Sequence, residues 1–600
     1  MKELSKVFAF GPVIDRTFVL GSSITGYASS SISALLKRHP IDWITNTARP
    51  KGLVHIPKNL HVGDPEIARK MYDGCYPFAG ISPELGGRSP FDITPPSKAW
   101  EVELLGFSWL NDLAAADGQI IRALARALTQ DWIETQGSGH AIAWKPEITS
   151  KRLLNWLSNA DLLLSDTSQA ARVNILRSIG RQLHNLEANI YKSPDGPHRL
   201  AAVSTLIIAS LSLGGLEGLR KRSLKVLDFE LNRQILTDGG HLSRSPQALV
   251  DTIAILLPTK LCFIHKGLPI PQTLITAIDR IFPMVRFFLH GDGGLAGFNG
   301  VSRLKVADVK NLLELDETKG KPFTYAPHSG YHRLEAKRTT IFLDTGAAPP
   351  TSVSHRAHAG CLAMELSDGP HRIIVNCGAM SDDSSPLFQA ARATAAHSAL
   401  TINERSSLRM IGPGRLARFI GTPVIGKRIK VGSRRTQCDE GILLESGHDG
   451  YVDRFGLRHE RLVYLSENGH EVRGEERINR LQGRKNPLIQ KASDIFTLRF
   501  HLHPDIQPTP TRDARQVFLI LPDKTGWVFS LLSGEISIEE SIYLLDRPMP
   551  EKTRQLVIRG EVQEHKTIKW SFKKVSAERI SKEDAMAKIE QETPLPLGDV

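Results

Sequence analysis

The stretch CLAMELSDGPHRIIVNCG, residues 361–378, decides how the second half of this chain folds. CLAMEL (361–366) and HRIIVNCG (371–378) are short and apolar, and the second is rich in β-branched residues. SDGP between them holds the residue types that favour a tight turn. The pattern is that of two strands and a turn. It recurs outward as TTIFLDTG (339–346) on one side and ARFIGTPVIG (417–426), RLVYLS (461–466), FTLRFHLH (496–503) and QVFLILP (516–522) on the other. No periodic segment of helix length separates these pieces, which argues against βαβ units. A large antiparallel β-sandwich over residues 320–575 is therefore expected.

Before residue 300 the period changes. Val173, Leu176, Ile179, Leu183, Leu186 and Ile190 recur at intervals of three and four, as do Leu153, Leu154, Leu157, Ala160 and Leu164. Such spacing places each set on one helix face. Turn clusters punctuate the series: SPDGP (193–197), LGG (213–215), DGG (238–240) and GDGG (291–294). Helices of this kind bury their stripes only by packing as layered hairpins. The expected architecture is a multidomain α+β chain. An N-terminal α/α toroid of helical hairpins over 100–310 precedes the C-terminal antiparallel β-sandwich. Residues 1–99 form an N-terminal extension and the start of the helical domain, and 576–600 a polar tail with a short helix.

The 600 residues carry 76 Lys and Arg against 64 Asp and Glu, a net charge of +12. A basic surplus favours an acidic partner, or simply solubility. Five scattered cysteines without CxxC spacing argue against a disulfide framework and a zinc knuckle. MKELSKVFAF lacks the basic-then-apolar order of a secretory signal, and no run of about 18 apolar residues is long enough to cross a bilayer. The expectation is a soluble cytoplasmic protein without a transmembrane segment. Walker, GxSxG, HExxH and dinucleotide-binding patterns are absent, and the aromatics do not alternate with basic residues, so no nucleic acid is expected.

Imidazoles ligate divalent metals or move protons near neutral pH, which singles out SHRAHAG with His355 and His358, and RATAAHS with His397. The other reading makes them polar sandwich residues hydrogen-bonded in turns. In SPDGPHRLAA (193–202), His198 and Arg199 follow a Gly-Pro break at a helix start. Such a start favours an anion, and Arg199 could grip a carboxylate with two parallel hydrogen bonds. The other reading is an exposed pair at a turn. DGGHLSRSP (238–246) is a second such loop, with His241 and Arg244.

These residues resemble the heparinase II/III-like family. Its β-domain signature is approximately HxHxDxLSFEL, a strand ending in (D)xG, then RxTxAHNT. Here RAHAGCLAMELSDGPHRIIVNCGA (356–379) and ARATAAHSALTI (391–402) match it in order and type. HSGYHRLEAKRTTIFLDTG (328–346), HDGYVDRFGLRHERLVYLSENGHEVRGEE (448–476) and FTLRFHLHPDI (496–506) extend the likeness. So do ELLGFSWLNDL (103–113), AWKPEITSKRLLNWLS (143–158) and DGPHRLAAVSTLIIASLSLGG (195–215) in the helical half.

The resemblance implies a polysaccharide lyase that cleaves uronic-acid glycans by β-elimination in a cleft between the two domains. The sugar carboxylate is neutralised, a base takes the C5 proton and an acid assists the C4 oxygen. His198, Arg199, His355 and Arg356 are the expected catalytic residues, and Arg244, Tyr331 and Arg392 the expected substrate contacts; by resemblance His198 stands at the place of the toroid's Asn-His pair. His358, Asn376 and His397 take the places of ligands to a Zn²⁺ or Ca²⁺ ion. The partner is an acidic polysaccharide or oligosaccharide, and the family's place is the cell envelope or periplasm.

Departures accompany the match. The family's catalytic Tyr falls at Ala248 in SPQAL, Pro197 replaces an Asn, the first His of HxH aligns with Arg356, and Gly360 and Asn376 stand where Asp is usual. Tyr331 or Tyr191 could supply a phenol from elsewhere. The alternative function is a catalytically degenerate glycan-binding protein of the same fold.

Overall fold

The computed structural model describes residues 50–575, apart from 59, 61–62, 138–141, 303, 318, 384, 482–493, 512–513 and 546–548. Of the expected N-terminal extension, residues 1–49 lie outside the described residues, as does the tail at 576–600. Two compact units result, one of residues 50–239 and Ala248–Phe282, the other of Gly240–Gln247 and residues 283–575.

The first unit is helical. Pro197–Ser212 is its buried centre: from Ala202 to Ser212 every residue is buried. It packs against Pro146–Ser158 on one side and Glu217–Gln234 on the other. Gly196, with φ of 98°, precedes Pro197, so the break and the first helical residue are the ones the SPDGP cluster calls for. Helix Gln169–Ala188 buries Ile175, Ile179, Leu183 and Leu186, whereas Val173, expected on the same face, is 41% exposed. The Leu153–Leu164 stripe is two helices, Pro146–Ser158 and Ala160–Leu164. Pro246–His265 has the length and hydropathy of a membrane span, but 67% of its apolar window is buried within the fold, as in a core helix.

The second unit is all-β apart from short helices. In chain order its strands are β1 (Tyr325–Ala326), β2 (Tyr331–Ala336), β3 (Thr339–Asp344), β4 (Met364–Asp368), β5 (His371–Val375), β6 (Leu400–Ile402), β7 (Arg409–Met410), β8 (Val424–Ile425) and β9 (Val431–Cys438). There follow β10 (Gly441–His448), β11 (Leu457–Ser466), β12 (Glu471–Arg480), β13 (Ile495–Leu502), β14 (Gln507–Pro510), β15 (Gln516–Ile520), β16 (Gly526–Leu531), β17 (Ser537–Tyr543), β18 (Glu551–Glu561) and β19 (Thr567–Val575). One sheet runs β1-β2-β3-β4-β5-β13-β18-β17 with β6 against β13; the other runs β14-β15-β16-β19-β12-β11-β10-β9. All these pairings are antiparallel.

Leu343, Leu366, Ile374, Leu498 and Phe500 of the first sheet meet Leu444, Val463, Val472, Phe529 and Trp570 of the second in one core. Every second residue of β11 is buried, the alternation that a half-buried strand requires. ARFIGTPVIG is the exception to the strand pattern. Arg415–Ile420 is helical, Gly421 with φ of 72° ends it, and only Val424–Ile425 is extended.

Candidate functional site

Ser354 to His358 form the turn before β4, and Arg392 pins it from inside. Its Nε donates to the Ala357 carbonyl at 2.8 Å and its Nη2 to that of Ser354 at 3.2 Å. Arg392 is fully buried and stacks on Phe388, as Arg356 does. Burial, then the nearby charge of Arg356, works against its own charge. The expected substrate contact is thus a positioning group, because its donors are engaged by backbone. His355 and Arg356 are half-buried. Arg356 donates to the carbonyls of Met380 at 3.0 Å and Ser381 at 3.4 Å.

His358 and His397 meet. His358 Nδ1 is 3.0 Å from His397 Nε2, and His397 Nδ1 is 2.8 Å from the Ala393 carbonyl. A carbonyl only accepts, so Nδ1 of His397 carries its proton, Nε2 accepts, and His358 Nδ1–H donates. Both rings are neutral: burial pushes His397 down to about 4 and, with His397 and Arg392 adding to it, holds His358 well below the usual range. Gly360 makes the contact possible, since a Cβ there would stand 2.9 Å from His397 Cδ2.

Asn376, at the end of β5, does not complete a metal set. Its Nδ2 donates to Glu365 at 3.0 Å, and its Oδ1 accepts from the Ser398 N–H at 3.0 Å. A neutral amide so engaged, beside two imidazoles bonded to each other, does not fit a divalent ion. Among the described residues no three His, Cys, Asp or Glu side chains converge as a ligand set.

Glu365 is what sequence reasoning missed. It is wholly buried, accepting from the N–H groups of Gly297 and Asn376 and pairing with His290 Nε2 at 2.9 Å. Burial alone would raise its carboxyl, but His290 and these hydrogen bonds carry it below the usual range. A carboxylate inside the apolar run CLAMEL was the available signal.

Arg244 and Tyr331 lie in the same unit and are inside it. Arg244 pairs with Asp344 and donates to the carbonyls of Ser329 at 2.7 Å and Ala347 at 3.0 Å. Tyr331 has no exposure, and its hydroxyl donates to the Arg244 carbonyl at 2.8 Å. Burial, then Asp344, pushes its phenol upward. Asn299 donates to the Tyr331 hydroxyl and accepts from the His358 N–H at 3.2 Å. The structure thus joins Arg244, Tyr331, His358 and His397 in one buried network, with none of them presented as a surface contact.

His198 and Arg199 belong to the helical unit. His198 is exposed in the first turn of Pro197–Ser212. Arg199 lies 3.2 Å from Asp195 and 3.6 Å from Glu230, and Arg233 pairs with the same two carboxylates. The expected clamp is already neutralised within its unit. Ala248 is buried in the first turn of Pro246–His265.

The C-terminal heparinase II/III-like family profile matches residues 318–571. FtsZ-localized protein C of Caulobacter vibrioides is 30% identical over 537 residues, which cover 88% of this chain and 91% of that protein. Among solved structures, heparinase III superposes with a TM-score of 0.68 at 13% identity, covering 92% of this chain and 90% of that one. The heparan sulfate lyase HepC of Pedobacter heparinus gives 0.57 at 16% identity, with 92% and 88% covered. These likenesses bear out the expected fold, an α/α toroid followed by an antiparallel β-sandwich.

Proposed function

Since this chain belongs to the heparinase II/III-like family, we propose that it binds an acidic glycan on the family's fold without performing β-elimination. One observation carries the reading: no phenol stands ready for proton transfer at the expected place. Ala248 occupies the position where the resemblance asks for the catalytic Tyr, and a methyl group transfers no proton. Tyr331, the substitute within the sandwich, is enclosed and bonded to backbone. The engagement of Arg199 by Asp195 and Glu230 supports the same conclusion, because a sugar carboxylate needs a cation not already neutralised.

A lyase reading has the exposed His198 in its favour, an imidazole at a helix start able to act as a base. One experiment separates the two. The protein is incubated with heparin, heparan sulfate and alginate, and both binding and the absorbance of unsaturated products are followed. Binding without product is expected. Product formation that His198→Ala abolishes would sink the binding-only reading.

The Caulobacter relative is, by its name, localised to FtsZ. We carry that location over to this chain, and a fluorescent fusion that fails to follow FtsZ in dividing cells would refute it.

A further inference from the structure

We infer that the acid-free segment Arg405–Cys438 is the surface by which this protein holds its polyanion, a uronic-acid polysaccharide. The inference rests on the glycan-binding reading above and deepens it by naming the contact. Between Glu404 and Asp439 the chain has no Asp or Glu, yet it carries Arg405, Arg409, Arg415, Arg418, Lys427, Arg428, Lys430, Arg434 and Arg435. That is nine positive charges where the whole chain nets +12. Arg409, Arg415, Lys427, Arg428, Lys430 and Arg434 are exposed, and charge this concentrated at a surface has a field of its own.

The segment is built into the sandwich. Met410, Val424 and Ile429 pack on Ala348, Ala359 and Leu408. The Val424 N–H donates to Ser354 Oγ at 2.9 Å and Thr422 Oγ1 to the His355 carbonyl at 3.3 Å, which ties the segment to the turn bearing His355 and Arg356. β9 then runs along the outer edge of the second sheet.

Lys427, Arg428, Lys430 and Arg434 are exposed, and none is in an ion pair among the described residues. Carboxylates flank it: Glu445 opposite Arg434 across the β9–β10 pair, Asp449, whose Oδ1 accepts the Lys430 N–H, and Asp439 and Glu440 at the turn after β9. Among the described residues none of them forms an ion pair with the four cations.

The chemistry selects a glycan over an acidic protein. Within the segment Leu416 is exposed, but from Gly426 to Cys438, where the four exposed cations sit, no large hydrophobic side chain is exposed among the described residues. Protein interfaces, by contrast, draw most of their affinity from buried aromatic or aliphatic anchors. Here the solvent meets ammonium, guanidinium, hydroxyl and amide groups. Those suit a hydrated polymer bearing carboxylates at regular intervals, with Arg able to bind each carboxylate through two parallel hydrogen bonds.

The test uses the full-length protein and labelled alginate at about 50 and about 200 mM salt, with polyglutamate as a second probe. Lys427→Gln, Arg428→Gln, Lys430→Gln and Arg434→Gln are combined in one variant. A control of equal charge change combines Lys70→Gln, Lys221→Gln, Lys225→Gln and Lys552→Gln, also exposed positions. Melting curves matching wild type certify both folds. The first variant should bind alginate about tenfold more weakly with a flatter salt dependence, and the control should change less than about twofold. Equal loss in both, or none in the first, overturns the inference while the glycan reading stands. Binding of polyglutamate but not alginate overturns it in favour of an acidic protein. Wild type that binds no uronic polymer fails the underlying reading, and this one with it.

Discussion

His358 Nδ1 and His397 Nε2 lie 3.0 Å apart, with the two rings inclined at 82°. The resemblance makes both rings metal ligands, and here they bond to each other instead. The approach has room because position 360 is glycine, where a Cβ would stand 2.9 Å from His397. Zinc and a chelator are therefore expected to leave the melting temperature unchanged. A zinc-dependent rise would show that the pair opens to take an ion.

Gly360→Ala tests the close approach directly. The added methyl meets His397 at 2.9 Å and should cost roughly 1–3 kcal/mol, as overpacking does. Combined with His397→Ala the cost should be less than additive, since the collision partner is gone. Strict additivity in a urea-unfolding cycle would disconnect the two residues.

Stability should decline as pH falls below 6.5. Burial pushes His332 and His397 down to about 4 and His501 down to about 3. The unfolded chain takes up a proton at each ring near pH 6.5 and the native chain does not, so stability present above that pH is lost toward pH 4. The slope is up to about 1.4 kcal/mol per pH unit for each ring. Urea midpoints at pH 7, 6 and 5 check this, and a flat series contradicts it.

Glu476 anchors the interior of the second sheet. Its carboxylate receives Arg461 Nε at 2.7 Å, His459 Nε2 at 2.6 Å and Trp570 Nε1 at 3.1 Å, with Arg461 and Glu476 both fully buried. Glu476→Gln keeps the shape but removes the charge that compensates Arg461. The expected loss is about 3–5 kcal/mol in chemical unfolding. A loss below about 1 kcal/mol would mean that Arg461 is held by the Leu362 and Ser398 carbonyls alone, to which its Nη1 donates at 2.6 and 2.8 Å.

Tyr331→Phe should cost about 1 kcal/mol, through the hydroxyl's bonds to Asn299 and the Arg244 carbonyl, and should leave glycan affinity untouched. Weaker glycan binding at unchanged stability would restore Tyr331 as a substrate contact.

By itself the sequence determined the two architectures, the order of the strand segments and the family. Helical and strand periods and turn residues are local records of which face of each element is buried. It misjudged ARFIGTPVIG, where an apolar run beside Gly421 is too short for periodicity to separate a turn of helix from a strand. It singled out Arg199, Arg244, Arg392, His358 and His397 as residues able to bind, and that chemistry is theirs. Tertiary structure alone decided what they bind. Asp344 stands 100 residues from Arg244, and His397 stands 39 from His358. A charged or hydrogen-bonding side chain is committed by whatever long-range packing brings within 3 Å of it, and no local pattern in the chain records that distance.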